Sequence, residues 1–428
     1  MEKKRIDTTL IALIVIVLLG YILMHDIFGG TLFAHNSWDS YTLQALAWRD
    51  GRLDLGQNYS YLEIAVFEGK YYVSFPPTPT LVMLPLTFIF GNNTPNNIVV
   101  MLYAIITAIV VYKVLLMVNF KNISAACLSS LIVFGSNALW MSTVGGVWFQ
   151  AQLLNMLLLW LAIYFSLKDK RAAAYAMVAL AVGCRPFSLF VFPVLFVFFL
   201  MRDLKDKPKK DFRSILLTSL SQLKCLIIPA IIGAGYMALN YARFGSVFEF
   251  GHNYLPEFLN DPQFGLHYIP QNLKNLLLTF VGFNDNGQLT FPIFNGFFLF
   301  IANPIFIITF AAFIRDIVKK RVDITMIVST VCVIGILIAT CAHKTLGGWQ
   351  FGARYTVDMI PLACFTYLLG RKKELFENMP IPAPECVDGP TSLIQKKQFT
   401  LNAAEAVICA FGIMFNVYGA IVINLGLK

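Results

Sequence analysis

A polar window follows the first long apolar segment of the chain and holds the residues best suited to chemistry. It opens with His35-Asn36-Ser37-Trp38-Asp39-Ser40-Tyr41 and closes with Gly69-Lys70-Tyr71-Tyr72. Ser37 is predicted to cap a helix that ends near Gly51, so that Asp39 falls in its first turn. A carboxylate there, beside the mouth of a helical bundle, could serve as a general base. It could also do no more than complement the helix dipole.

Several cations are predicted to lie at or near helix ends on the same side of the molecule as this window. They are Arg185, Arg243, Lys344 and Arg354. Guanidinium groups present paired donors that match phosphate oxygens, so several of them around one cavity would suit an anionic lipid headgroup. Alternatively, each could extend to the membrane interface or pair with a structural carboxylate. Arg354 and Asp358, four residues apart, could form such a pair.

The helix that follows Ser37 is predicted to be amphipathic. Trp38, Tyr41, Ala45 and Trp48 recur at helical spacing. Since Trp and Tyr side chains favour the membrane interface, we expect this helix to lie in that interface with its aromatic rings at headgroup level.

The composition is that of a polytopic membrane protein. Of 428 residues, 57% are hydrophobic and only 13% are charged, and a helix needs about 20 apolar residues to cross a bilayer. The first apolar run is too long for a signal peptide and is predicted to be a retained helix. We predict about eleven spans, near 7–29, 97–118, 125–140, 151–167, 172–184, 187–201, 215–240, 291–314, 324–342, 355–370 and 401–425.

The basic residues predict the orientation, because Lys and Arg favour cytoplasmic loops. Their clusters place the amino terminus in the cytoplasm and the carboxyl terminus outside. Residues 77–91 must then begin and end outside, and they are predicted to form a juxtamembrane or re-entrant helix. The same bias accounts for the net charge of +9, so nucleic acid is not predicted as a partner.

We therefore predict an all-α polytopic membrane protein in which residues 1–428 form a single transmembrane domain. The external polar segments would be 31–96, 241–290 and 343–354, and residues 371–400 would form a cytoplasmic loop. The candidate active site lies on the external face. The eight cysteines show no CxxC spacing, which predicts neither a disulfide framework nor a zinc site.

The order of these motifs resembles the GT-C superfamily of integral membrane glycosyltransferases. Asp39 follows the first span, Tyr61 to Tyr72 follows at the expected distance, and Pro76-Pro77 precedes a short apolar helix that ends at Phe90-Gly91. The segments from Arg243 to His252 and from Gly348 to Tyr355 are similar to bacterial members. The best matches are of the protein O-mannosyltransferase and lipid A aminoarabinose transferase type.

The resemblance implies an inverting transfer of a sugar from a polyprenyl phosphate to a lipid, polysaccharide or protein acceptor on the outer face of the cytoplasmic membrane. It implies that Asp39 is the general base. Residues implied to hold the lipid phosphate are Lys70, Arg243 and Arg354, with Arg185 and Lys344 as further members. Residues implied to contact the sugar or the lipid are Tyr71, Tyr72, Trp349 and His252.

The sequence also departs from the family pattern. Ser40 follows Asp39 where a second acidic residue is common, and Thr78 follows the two prolines where Gly is common. The first departure puts a metal role in doubt: a divalent ion could be held by Asp39, Glu63, Glu249 and His252, but no metal or other cofactor is predicted. We expect the chain to stand apart from the oligosaccharyltransferase branch, since no large soluble segment follows the last span.

Two other classes of function remain open at this stage. A transporter or lipid flippase would also contain half-length helices such as 172–184 and 187–201, although acidic residues are nearly absent from the middle of the predicted spans. A non-enzymatic scaffold subunit of an envelope pathway would use the external loops as docking surfaces.

Overall fold

The computed structural model describes residues 6–205, 207, 211–377 and 398–426. Within these ranges the chain forms seventeen α-helices joined by short turns and 3₁₀ segments. They are α1 (Thr8–Ile27), α2 (Ser40–Arg49), α3 (Thr78–Phe90), α4 (Asn96–Met117), α5 (Asn122–Phe134), α6 (Ala138–Met141), α7 (Val147–Leu167), α8 (Arg171–Val182), α9 (Val191–Lys205), α10 (Phe212–Gln222), α11 (Ile227–Phe244), α12 (Ile269–Leu278), α13 (Leu299–Ala302), α14 (Ile305–Val318), α15 (Ile324–Cys341), α16 (Ile360–Glu377) and α17 (Ala403–Asn424).

The helices confirm an integral membrane protein. Among the described residues, seven helical segments are long and apolar enough to cross a bilayer, namely Thr8–Ile27, Asn96–Met117, Val147–Leu167, Pro186–Lys205, Phe212–Phe244, Ile324–Cys341 and Ala403–Asn424. Each of the eleven predicted spans contains helical residues, and the count of eleven crossings stays a prediction. The span predicted at 291–314 starts too early, because the chain is helical only from Leu299 onward.

Residues 371–400, predicted to form a cytoplasmic loop, are helical at their start. α16 continues to Glu377, so the predicted cytoplasmic loop begins later than expected. Residues 378–397 of that loop, with Cys386, lie outside the described residues. The seven described cysteines are not joined by disulfides.

The first segment predicted to be external contains a β-hairpin, which the predicted all-α fold did not include. β1 (Ile64–Phe67) pairs antiparallel with β2 (Lys70–Val73). Glu68 and Gly69 form the turn, and both have positive φ, 49° and 73°, as tight two-residue hairpin turns require. A second pair of short strands consists of β3 (Gly282–Phe283) and β4 (Leu289–Thr290).

The helix after the polar window begins two residues later than predicted. Asp39, not Ser37, is the N-cap residue of α2, because the Asp39 side chain accepts hydrogen bonds from the first backbone N–H groups of that helix. Tyr41 and Ala45 are fully buried, so the apolar face of α2 packs into the protein. α2 packs against α3. The presence of α3 confirms that residues 77–91 form a helix.

α7 lies at the centre of the bundle and packs against α4, α8 and α16. Most of its residues are buried, including the polar side chains Gln150, Gln152 and Asn155. Polar groups in a membrane helix are costly unless they find partners inside the bundle or face a cavity. The buried amides of α7 therefore mark the part of the bundle where polar contacts concentrate.

A buried amide network fixes the loop that precedes α16. The side-chain oxygen of Asn137 accepts from Ala353 N (2.7 Å) and from Asn303 Nδ2 (3.0 Å), and Asn303 Nδ2 also donates to Thr356 Oγ1 (2.8 Å). Gly352 has a φ of 77°, and a Cβ there would lie 1.9 Å from Asn137 Nδ2. A network with all these contacts in a low-dielectric interior holds the backbone of the loop in one conformation.

Candidate active site

A cavity of about 910 Å³ opens at one end of the bundle. The three segments predicted to be external meet there and are joined by the first residues of α7 and by the junction between α8 and α9. The side of the membrane that the cavity faces stays a prediction. Its lining residues fall in the ranges 36–38, 63–76, 144–151, 184–187, 248–264 and 343–355.

The structure brings half of the predicted site residues into this cavity. Those that line it are Arg185, His252, Lys344, Trp349 and Arg354. Those that lie outside it are Asp39, Lys70, Tyr71, Tyr72 and Arg243.

Asp39 does not face the cavity. Its side chain is 1% exposed, and both carboxylate oxygens are engaged. Oδ1 accepts from the backbone N–H groups of Tyr41 (3.1 Å) and Thr42 (3.2 Å), and Oδ2 accepts from Thr42 Oγ1 (2.5 Å) and Asn96 Nδ2 (2.9 Å). These contacts cap α2 and join it to α4. The geometry therefore gives Asp39 a positioning role in the described structure and does not place it within reach of a substrate in the cavity.

Arg243 and the residues of β2 do not line the cavity. Arg243 Nη1 donates to the carbonyl of Val73 (2.9 Å) and Nη2 donates to Asn240 Oδ1 (2.9 Å), which ties the end of α11 to the hairpin. Tyr72 packs against Phe244 with a centroid distance of 5.2 Å. Lys70 is exposed beside the hairpin turn. The hairpin, which was not predicted, packs Tyr71 and Tyr72 into two separate apolar clusters and binds Arg243 through the Val73 carbonyl, so these side chains do not converge on the cavity.

Glu63, immediately before β1, is a carboxylate that does line the cavity. Its Oε1 accepts a hydrogen bond from Trp148 Nε1 at 3.1 Å, and Oε2 has no hydrogen-bond partner among the described residues. Burial raises the pKa of Glu63 to about 7; the Trp148 hydrogen bond lowers that pKa, Glu257 raises it and Arg354 lowers it. A carboxylate that exchanges its proton near neutral pH and has one free oxygen suits general-base chemistry.

Arg354 lines the same cavity and is buried, with 4% exposure. Its guanidinium donates to Gln152 Oε1 (2.8 Å) and twice to the carbonyl of Gly347, from Nη2 (2.6 Å) and from Nε (3.2 Å). All of these partners are neutral, and no carboxylate of the described residues lies within ion-pair distance. The pair that Arg354 could have formed with Asp358 is absent, because Asp358 binds Arg185 instead.

The other cations of the cavity are compensated. Arg185 Nε donates to Asp358 Oδ2 (2.9 Å), and Lys344 Nζ lies 3.3 Å from Asp261 Oδ2. Burial, followed by the Arg185 charge, lowers the pKa of His252 to about 4 and that of His343 to about 3. Both imidazoles are therefore neutral at pH 7. Arg354 is thus the lining cation whose charge is left for a bound anion to neutralise.

A row of aromatic rings runs beside the cavity and includes neighbours of both Glu63 and Arg354; all of its rings line the cavity except that of the buried Trp140. The centroid distances between successive rings are 5.9 Å (Trp38–Trp148), 6.1 Å (Trp148–Phe149), 4.8 Å (Phe149–Trp140) and 5.5 Å (Trp140–Trp349). Trp148 holds Glu63 by its hydrogen bond, and the Arg354 guanidinium lies 5.6 Å from the Phe149 centroid. The row therefore connects the two charged groups.

The four residues considered as metal ligands do not form a metal site. Glu63, Glu249 and His252 line the cavity, whereas Asp39 lies outside it. Within the described ranges, no group of three or more His, Cys, Asp or Glu side chains is placed to hold a metal ion. Metal-independent chemistry stays a prediction.

Sequence reasoning considered Glu63 only as a possible ligand of a divalent ion, and it assigned no role to Trp148 or Gln152. The sequence does contain a signal for Glu63. Two runs of strand-forming residues separated by Glu68-Gly69 predict a hairpin, and Glu63 lies directly before its first strand, beside the preceding loop. No comparable signal marks Trp148 or Gln152. Both lie in an apolar helix, and only tertiary packing makes them partners of Glu63 and Arg354.

The state of Glu63 can be measured without knowledge of the reaction. Dicyclohexylcarbodiimide reacts with protonated carboxyl groups, so we expect it to label Glu63 strongly at pH 6 and weakly above pH 8, with a midpoint near 7. Mass spectrometry of the labelled peptide reports the midpoint. The hydrogen bond from Trp148 favours the charged form of Glu63, so its removal in Trp148→Phe should move the midpoint to higher pH. Equal labelling of Asp39, or no labelling of Glu63 at any pH, would contradict this description.

No protein-family profile and no curated protein matches the chain. The Archaeoglobus fulgidus oligosaccharyltransferase tethered to an acceptor peptide matches with a TM-score of 0.53 and 12% identity, over 98% of this chain and 55% of that chain. AglB of the same organism, in complex with an inhibitory peptide and a dolichol-phosphate, gives 0.50 and 12%, over 97% and 56%.

ArnT from Cupriavidus metallidurans bound to undecaprenyl phosphate gives a TM-score of 0.46 and 12% identity, over 86% of this chain and 60% of that chain. That score is too low to support an argument. The expected separation from the oligosaccharyltransferase branch stays a prediction. The chain spans little more than half the length of the oligosaccharyltransferases, and at 12% identity the likeness concerns the fold alone. Over the aligned part, the chain shares the fold of these two oligosaccharyltransferase structures.

Proposed function

We propose that this protein transfers a sugar from a polyprenyl-phosphate donor to an acceptor hydroxyl within the cavity, with inversion at the anomeric carbon. One observation supports this most directly. The cavity holds a buried guanidinium without a carboxylate partner, Arg354, together with a carboxylate that has a free oxygen and a pKa of about 7, Glu63. The AglB complex contains a dolichol-phosphate, which favours a lipid-linked donor for this fold.

In the proposed reaction, Glu63 removes a proton and Arg354 stabilises negative charge. Glu63 Oε2 takes the proton of the acceptor hydroxyl, whose oxygen forms a bond to the anomeric carbon as the bond from that carbon to the phosphate oxygen breaks. The bonding electron pair leaves on the phosphate, which changes from a monoanion to a dianion. Arg354 stabilises this growing charge, which is the form of electrostatic catalysis that lowers a barrier most effectively in a site that excludes water.

We assign the general base to Glu63 in place of Asp39. A general base must come within hydrogen-bond reach of the proton that it removes. Glu63 lines the cavity and its Oε2 has no hydrogen-bond partner among the described residues, whereas the Asp39 oxygens accept from Tyr41, Thr42 and Asn96. Asp39 would contribute by holding the loop that carries Asn36 and Trp38 in the cavity wall.

The proposed orientation has the cavity on the external face of the cytoplasmic membrane and the amino terminus inside. Its support is the positive-inside bias of the sequence. At the opposite end of the bundle from the cavity, basic residues also pair between helices, as in Arg171–Asp203 (2.5 Å) and Arg371–Glu405 (2.9 Å). The lipid tail of the donor would lie among the helices, and the acceptor would enter from the aqueous side.

The transport alternative would use polar groups inside the bundle. Such groups exist: Asp358 accepts from Asn155 Nδ2 (3.2 Å) and from Arg185 Nε (2.9 Å), and Ser188 Oγ donates to Asn155 Oδ1 (2.5 Å). These side chains bind one another, which leaves no unpaired charge among them for a passing ion or substrate. The free charges lie in the cavity, and for this reason we favour group transfer.

Substitution of the two carboxylates should separate their roles. Glu63→Gln removes the proton acceptor and should reduce transfer from radiolabelled polyprenyl-phosphate sugars to an envelope extract by about 10²-fold or more. Asp39→Asn retains an N-cap residue and should keep activity within about tenfold. The wild-type rate should rise with pH and reach half its maximum near pH 7, since only the carboxylate form of Glu63 accepts a proton.

The opposite result would restore Asp39 as the base. An inactive but folded Asp39→Asn protein beside an active Glu63→Gln protein would contradict our assignment. A transfer rate that does not decrease as the pH is lowered below 7 would also contradict our assignment.

Two arginines offer a matched test of the phosphate site. Arg354→Lys should lower kcat/KM for the donor by tenfold or more, because one ammonium cannot bind Gln152 and Gly347 and also face a phosphate. Arg243→Lys should leave kcat/KM nearly unchanged but destabilise the protein by about 1–3 kcal/mol, through the loss of buried hydrogen bonds to Val73 and Asn240. Kinetics and thermal unfolding in detergent measure both effects. A kinetic defect confined to Arg243→Lys would move the phosphate site to the hairpin.

A further inference from the structure

The acceptor must lie against the Glu63 end of the cavity, because its hydroxyl gives up a proton there. Glu63 lines the cavity; Trp148 binds its Oε1, and its Oε2 has no hydrogen-bond partner among the described residues. The surface next to Oε2 therefore belongs to the acceptor subsite. It comprises the indole of Trp148 and the neighbouring indole of Trp38.

Trp38 is an exposed aromatic ring on a rigid support. Its side chain is 46% exposed within the cavity. The backbone carbonyl of Trp38 accepts from Val147 N (2.7 Å), and its backbone N–H donates to Asn36 Oδ1 (2.9 Å). The edge of Tyr61 packs against the indole with a centroid distance of 5.8 Å. A large apolar ring that remains uncovered although its backbone is fixed is typical of a binding surface.

The charge around Glu63 limits what can bind there. Glu249 and Glu257 line the same cavity as Glu63, and Glu257 acts on Glu63 as a nearby like charge. A phosphate acceptor would bring a further negative charge to these carboxylates, which is unfavourable. A neutral acceptor with several hydroxyls avoids this repulsion and can donate hydrogen bonds to them.

We propose that the acceptor is a neutral carbohydrate whose ring packs on Trp38 and Trp148 beside Glu63. This inference rests on the proposed glycosyl transfer. The apolar C–H face of a sugar ring matches an indole, while its hydroxyls reach Glu63 and Asn36. A peptide hydroxyl lacks the flat apolar face, and a lipid phosphate carries the wrong charge.

The chain provides a matched control in Trp349. This side chain also lines the cavity and is 47% exposed, but it belongs to the loop of Gly347, which binds Arg354. It lies at the opposite end of the aromatic row from Trp38. Trp349 should therefore contact the donor, and the two tryptophans should affect different substrates.

The test is steady-state kinetics with a radiolabelled polyprenyl-phosphate sugar and three kinds of acceptor: neutral oligosaccharides of glucose, galactose or mannose, Ser/Thr peptides, and undecaprenyl phosphate. Only oligosaccharides should be labelled. Trp38→Ala should raise the acceptor KM at least tenfold and the donor KM less than twofold, and Trp349→Ala should do the reverse. Trp38→Phe, which keeps a ring, should recover most of the acceptor affinity and thereby excludes misfolding as the cause.

Labelling of peptide or undecaprenyl phosphate but not of oligosaccharide would overturn this inference and leave the transferase intact. An unchanged acceptor KM in folded Trp38→Ala would also overturn it. No transfer by the wild type from any donor, either to these acceptors or to envelope extract, would overturn the proposed function and the inference with it.

Discussion

Burying a guanidinium without a carboxylate costs several kcal/mol unless other groups compensate its charge, and the loop before α16 is built around such a group. Arg354 is held by the Gln152 side chain and by the carbonyl of Gly347. Gly347 has a φ of 98°, and a Cβ there would lie 3.0 Å from the Arg354 Nε atom, so a side chain would both strain the backbone and crowd the cation. The Asn137 network fixes the remainder of the loop. The protein thus maintains an unneutralised charge in the cavity, where an anionic ligand would stabilise both the complex and the fold.

Glu63, a carboxylate of the same cavity, comes from a different segment of the chain than Arg354. Glu63 comes from the hairpin segment and Arg354 from the loop before α16, and the row of rings that contains Trp148 and Phe149 joins them. Because each charged group is fixed by a hydrogen bond to α7, through Trp148 or Gln152, the buried central helix sets their separation. One rigid helix thus positions both a proton acceptor and an anion site, as group transfer between two substrates requires.

Hydropathy and charge were sufficient to predict a helical membrane protein and the three segments that meet in the cavity, because spans and their flanking cations obey strong local constraints. Partner choice was not predictable. Arg354 and Asp358 have the spacing of a helical ion pair. Residues 354–359 are instead a 3₁₀ segment, and Asp358 pairs with Arg185, which is 173 positions away in the sequence. Asp39 has the position of a base in the sequence, but the start of α2 and Asn96 occupy its oxygens. These outcomes depend on tertiary packing, which residue spacing does not encode.

The central claim is that Arg354 binds the phosphate of a lipid-linked donor in a cavity that also contains Glu63. A cryo-electron microscopy structure of the protein in lipid nanodiscs with a polyprenyl phosphate would test it most directly. The account predicts phosphate oxygens about 2.7–2.9 Å from the Arg354 guanidinium, with the prenyl chain leaving the cavity between helices towards the lipid. A phosphate bound at Arg243 and Lys70, or at the basic end of the bundle opposite the cavity, would contradict it.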